Sequence, residues 1–185
     1  MKPATVGDIM AGLEVLAPAH LAEDWDNVGL QVGHPDWPAN RIMVALDPAP
    51  EVVAEALQAK ANLLVTHHPL IFRPLRQLNL ATLTGALIER LIAGRLAVVT
   101  AHTNLDSAQG GLNDVLAAML GLQNCVALQA AADDAHAGLG RVGELSPPLA
   151  FEELILDIKH RMGLAQIRYA GNPPGRVRRV AVCSG

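Results

Sequence analysis

The sequence predicts an α/β fold: a mostly parallel central sheet flanked by helices, with a smaller α+β subdomain. Three observations lead there. Short, continuous apolar runs, Leu63–Thr66 and Leu96–Ala101, stop abruptly at polar residues and have the character of buried parallel strands. Stretches with apolar residues at helical intervals alternate with them. Aromatics make up only 3% of a chain that is 51% apolar, so Ala, Leu and Val must fill the core, which suits helices packed closely on a sheet.

Taken in order, Thr5–Leu16 reads as an amphipathic helix, with Thr5 and Asp8 forming a capping box and Val6, Ile9, Leu13 and Leu16 at helical spacing. Pro18 ends it. Trp25 is expected to anchor the core; Asn27 and Gly29 suit a turn, and Leu30–Val32 starts a short strand. After the proline-containing loop His34–Asn40, Arg41–Leu46 makes a strand that ends at Asp47, and Glu51–Lys60 a helix leading into Leu63–Thr66. That is a βαβ unit with a right-handed crossover. Arg73–Asn79 is a connecting loop, Ala81–Ala93 a helix closed by Gly94, and Leu112–Leu120 a helix closed by Gly121. Gln129–Gly140, rich in Ala and Gly, is expected to be a loop, followed by strands at Leu139–Leu145, Gln166–Ala170 and Arg176–Cys183 and a helix at Leu149–Met162. These elements predict a main α/β domain over residues 1–126, a smaller subdomain over 127–174, and a strand over 175–185 returning to the main domain.

The formal charge is 14 − 18 = −4 with no long basic run, which disfavours nucleic acid as a main partner. No apolar span of the ~20 residues needed to cross a membrane is present. Cys125 and Cys183 lie far apart without a CxxC pattern, so a reducing cytoplasm is the expected location.

The chemistry gathers at two strand ends. His67 and His68 follow Leu63–Thr66 and are stopped from further strand pairing by Pro69; His102, Thr103, Asn104 and Asp106 follow Leu96–Ala101. In open α/β sheets, ligands sit beyond the carboxyl ends of the strands. Consecutive residues of an extended chain point to opposite sides, so His67 and His68 suit two neighbouring ions better than one. Alone, such a pair is more often a strand cap. Two parallel neighbours would put His67, His68, His102 and Asp106 on one rim, mixing imidazole with carboxylate as Zn, Mn or Fe sites do. Asp47 stands at a strand end as well, where it could orient a ligand or cap the next helix. Arg73 and Arg76 could greet a phosphate, although solvated surface is the commoner fate of arginine. Gly110 and Gly111 form a tight turn rather than a phosphate loop.

WDNVGLQVG (Trp25–Gly33), VALD (Val44–Asp47), THHPLIF (Thr66–Phe72) and AHTNLDSAQGGLNDVLA (Ala101–Ala117) resemble, in this order, the Nif-three-like family of GTP cyclohydrolase 1 type 2 homologues. The resemblance implies an α/β Nif-three-like fold, two divalent metal ions per subunit (Zn, Mn or Fe) and a toroidal homohexamer. It carries metal-ligand roles onto His67, His68 and Asp106, leaves His102 lining the site or adding a ligand, and places Asp26 and Asn27 near it. The family completes its site with a further histidine and glutamate after a glycine-rich strand end. The sequence ends at Val180–Gly185, the strand preceding that segment, so a piece of a longer protein is expected.

The expected function is that of a dinuclear metal-dependent hydrolase acting on a nucleotide-like substrate, with His102 as the catalytic proton carrier. A dinuclear phosphoesterase and a non-enzymatic metal-binding scaffold are the alternatives.

Overall fold

The computed structural model describes residues 3–131, 134–171 and 175–184, and the chain divides into two units, Met1–Leu105 and Asp106–Gly185. In the first unit, helix α1 (Val6–Leu16) begins where the sequence requires: the Thr5 hydroxyl accepts the Asp8 N–H at 3.2 Å and the Asp8 carboxylate accepts the Thr5 N–H at 2.8 Å. Strands β1 (Gly29–Val32) and β2 (Ile42–Ala45) follow, then α2 (Pro50–Gln58), which Pro50 opens at a position where no N–H is needed. Strand β3 (Leu63–Thr66), helix α3 (Leu83–Ala93) and strand β4 (Ala97–Thr100) complete the series, and the short helix α4 (Thr103–Ser107) runs across the boundary at residue 105.

The sheet order is β1-β4-β3-β2, with β2, β3 and β4 parallel and β1 antiparallel to β4. Alternation along the two central strands divides the core. Leu64 and Val98 point to one face, where they pack with Val53 and Ala56 of α2 and Leu87, Ile88 and Leu91 of α3. Leu63, Ala97 and Val99 point to the other, against Val6, Ile9 and Leu13 of α1. Both faces of β3 and β4 are thus covered, which is why these strands read as unbroken apolar runs. Full burial of a side chain such as Leu64 contributes about 1.5–3 kcal/mol.

The second unit contains α5 (Leu112–Met119), β5 (Gln123–Ala131), β6 (Asp134–Ala150), α6 (Phe151–Arg161) and β7 (Arg176–Val182), with the three strands forming an antiparallel sheet in the order β5-β6-β7. Ala117, Leu122, Leu145 and Leu154 form its core. Arg141 is buried in it and fully engaged: it pairs with Asp114 at 2.5 Å and donates to the carbonyls of Gly138, Gly140 and Ala108.

The mixed α/β fold with a mostly parallel sheet agrees with the sequence. The internal divisions differ from the expected 1–126, 127–174 and 175–185. Ala117 and Leu120 pack in the core of the antiparallel sheet, so α5 belongs with the second unit. β7 pairs with β6, Val142 opposite Ala181 and Gly143 opposite Val180, rather than returning to the main sheet. Described residues within Gln129–Gly140 are arms of the β5–β6 hairpin instead of a loop; Gly138 (φ +137°) sits so close to β5 that a Cβ there would lie 2.1 Å from the Gln129 carbonyl oxygen. Gln166–Ala170 forms no strand. No helix among the described residues is long and apolar enough to cross a membrane.

Candidate metal centre

Register alone brings two strand ends to one edge. Thr66 of β3 lies opposite Thr100 of β4, their buried hydroxyls 3.0 Å apart, and the Ala101 N–H donates to the Thr66 carbonyl at 3.0 Å. His67 and the Ala101–His102 step therefore leave the sheet side by side. On the other flank, His67 and His68 N–H groups donate to the carbonyls of Ala45 and Leu46, carrying Asp47 alongside His68.

The three imidazoles converge. Ring centroids are 5.1 Å apart for His67 and His68, 5.0 Å for His67 and His102, and 5.7 Å for His68 and His102, and one ring nitrogen of each lies within 4.8 Å of the others. Every Nδ1 meets an acceptor: the Ala101 carbonyl at 3.0 Å from His67, the Asp47 carboxylate at 2.6 Å from His68, and the Asp26 carboxylate at 2.8 Å from His102. Carbonyl and carboxylate oxygens only accept, so in each neutral ring the proton sits on Nδ1 and Nε2 carries the lone pair. Metal-binding histidines are characteristically held this way.

Asp26 is the most elaborated of these supports. Its side chain is fully buried; it accepts from the Asn27 N–H at 2.7 Å, the Thr103 N–H at 3.1 Å and the Thr103 hydroxyl. Burial, the largest influence, pushes its carboxyl up, but the hydrogen bonds from Thr103, His102 and the Asn27 amide together outweigh it and hold the group below the ordinary carboxylate value. It is therefore an anion at neutral pH.

The donor set fits a divalent transition ion: three imidazoles, each oriented by a hydrogen bond at Nδ1. Bonds of about 2.0–2.1 Å to one tetrahedral ion put nitrogens roughly 3.3 Å apart, so the cluster either tightens slightly around one ion or flanks two. β3 ends at Thr66 and the chain bends at His67 and His68, the kink that adjacent histidines need if their rings are to converge.

Asp106, on α4, opens the second unit. It is buried, its Oδ1 accepts from the Ser184 hydroxyl at 2.7 Å, and its main-chain carbonyl accepts from the Asn113 amide at 2.9 Å. The Ser184 N–H in turn donates to Asn113 Oδ1 at 2.8 Å. Asp47 proves to be the partner of His68 and not a helix cap. Trp25 is not a core anchor: it is 59% exposed and stands edge-to-face with His102, centroids 6.3 Å apart. Phe72, which the sequence does not single out, stands likewise at 6.5 Å. Arg73 and Arg76 are exposed.

A family model, Duf34/NIF3 (NGG1p interacting factor 3), matches residues 4–185. The chain belongs to this family. Among Duf34/NIF3 relatives, a GTP cyclohydrolase 1 type 2 homolog of Clostridium perfringens is 39% identical over 180 residues, covering 97% of this chain and 69% of the relative. The homolog of the same name from Streptomyces coelicolor is 41% identical over 184 residues, covering 97% and 65%. The chain thus spans about two thirds of the length of these relatives. The crystal structure of a Staphylococcus aureus hypothetical protein superposes with a TM-score of 0.87 at 28% identity, covering all of this chain and 73% of that one.

Proposed function

We propose that this Duf34/NIF3 protein binds two divalent cations through His67, His68 and Asp106, and that it is a metal-dependent hydrolase of a nucleotide-like substrate. One observation carries the reading: three imidazoles converge with each Nδ1 already committed to an acceptor. The name shared by the relatives, GTP cyclohydrolase 1 type 2 homolog, suggests the substrate class.

Bound divalent cations would supply Lewis acidity and make water a nucleophile near neutral pH. The chain's own residues do the rest. His67 and His68 donate nitrogen, with orientation set by Ala101 and Asp47. Asp106 contributes the carboxylate. His102, held by Asp26, takes and returns a proton at Nε2, and the same geometry allows that atom to serve as a third nitrogen donor.

Metal analysis of purified protein and its variants tests this. The wild type should hold zinc, manganese or iron stoichiometrically, and the double variant His67→Ala/His68→Ala should not. Undiminished metal in that variant would remove the proposal. His102→Ala that keeps its metal but loses turnover marks a proton carrier; loss of metal marks a ligand. Incubation of loaded protein with GTP, followed by ultraviolet absorbance and phosphate assay, separates ring opening from the phosphoesterase reading. Sedimentation analysis checks the hexamer.

A further inference from the structure

We propose that Trp25 and Phe72 form a seat for a planar heteroaromatic ring at the rim of the histidine cluster. The first ground is economy. The chain has five aromatic residues outside histidine, two Trp, two Phe and one Tyr, and its buried core is built mostly from Ala, Leu and Val. Two of the five stand beside the cluster, Trp25 at 59% and Phe72 at 46% exposure, and neither is part of the core clusters of the described residues. Large apolar side chains left in water together, next to polar donors, are a feature of binding surfaces.

The second ground is geometry. The two rings meet edge-to-face, with centroids 5.9 Å apart and planes at 66°, and each also meets His102 edge-to-face, at 77° for Trp25 and 82° for Phe72. The third is rigidity. The loops that carry the two rings are laced together next to them: Asn27 Nδ2 donates to the Ile71 carbonyl at 2.6 Å, the Ile71 N–H donates to Gln31 Oε1 at 3.2 Å, and Gln31 Nε2 donates to the Asn27 carbonyl at 2.9 Å. The pair is therefore set before any ligand arrives, which lowers the ordering cost of binding.

Flat, half-exposed rings suit a flat ligand. An aliphatic chain would need an enclosing groove to exclude water, whereas a heteroaromatic ring gains by stacking on one face and offers polar edge atoms to the neighbouring imidazole site. Exposed Arg73 directly follows Phe72 and is available to a phosphate carried by the same ligand. The inference rests on the proposed metal-site reading only for what the ring's polar edge meets.

The test uses the full chain and three nucleosides, guanosine, adenosine and cytidine, with ribose 5-phosphate as a ringless control, titrated calorimetrically. At least one nucleoside should bind the wild type, and Trp25→Leu and Phe72→Leu should each weaken it by about tenfold, as loss of one stacking contact does. Circular dichroism and metal content of both variants should be unchanged, as should any response to ribose 5-phosphate. Wild-type nucleoside affinity in Trp25→Leu, or no binding of any of the three by the wild type, overturns the seat. Metal content of the same samples separates the two ideas: a nucleoside bound by protein that holds no metal supports the seat while overturning the metalloenzyme, and metal bound without any nucleoside does the reverse.

Discussion

Replacing Arg141 by methionine should cost the second unit about 4 kcal/mol, because a buried charged pair broken on one side costs ~3–5 kcal/mol. The guanidinium is 2% exposed and bridges Asp114 by two bonds, Nε to Oδ1 at 2.5 Å and Nη2 to Oδ2 at 3.0 Å. It also satisfies the carbonyls of Gly138, Gly140 and Ala108 at 2.7, 2.8 and 3.0 Å. Methionine fills much of the volume but leaves those acceptors without their donor, each at a desolvation cost of about 1–3 kcal/mol before relaxation and water entry offset part of it. Asp114→Asn should cost a similar ~3–5 kcal/mol, since it leaves the buried guanidinium without its anion and turns an amide N–H2 toward one of the two N–H donors that Asp114 accepts from. Acid dependence supplies an independent check. Burial pushes the Asp114 carboxyl up, but hydrogen bonds from Arg141 and the Gly110 amide, with the Arg141 charge, hold it below its ordinary 3.8. A depressed carboxyl stabilises the fold above its unfolded value, and that contribution is lost as pH falls through the lower folded value. The wild type should therefore lose stability on the acid side of pH 3.8 more steeply than either variant. Urea unfolding followed by far-ultraviolet circular dichroism measures all of this, with amide exchange of β5 and β6 locating the effect. Since Trp25 and Trp37 both lie in the first unit, tryptophan emission is not the probe to use. A loss below ~1 kcal/mol for Arg141→Met, the size of an exposed ion pair, would refute the reasoning.

Other outcomes follow from the site and the scaffold. Asp26→Asn removes the anion that holds His102 and should weaken zinc binding 10- to 100-fold, roughly the range for such supporting partners, with the fold intact; unchanged affinity in a competitive chelator titration would count against that role. Gly138→Ala forces a Cβ to 2.1 Å from the Gln129 carbonyl oxygen at a φ of +137°, so the β5–β6 hairpin should lose protection from amide exchange. Thr5→Ala abolishes the capping box of α1 and should lower stability by about 1 kcal/mol, read from the urea midpoint.

Periodicity and punctuation are local properties, and they were enough to determine the α/β class, the helices α1, α2, α3 and α5, the strands β1 to β4, and the placing of His67, His68 and His102 at strand ends. The four ordered motifs sufficed for the family. Tertiary structure decided the rest because the decisive partners are far apart in the chain. His102 meets Asp26 across 76 positions, His67 meets the Ala101 carbonyl across 34, and His68 meets Asp47 across 21. No local pattern states which nitrogen of a histidine is already engaged. Nor does composition reveal that Trp25 stands in solvent beside His102, since an indole is equally at home in a core. Of the β5–β6 pair only Leu139–Leu145 was legible, for a related reason: the Ala-rich end of β5, Gln129–Ala131, and the Ala- and Gly-containing start of β6 lack the alternation that marks a strand, and only pairing through backbone groups makes them one.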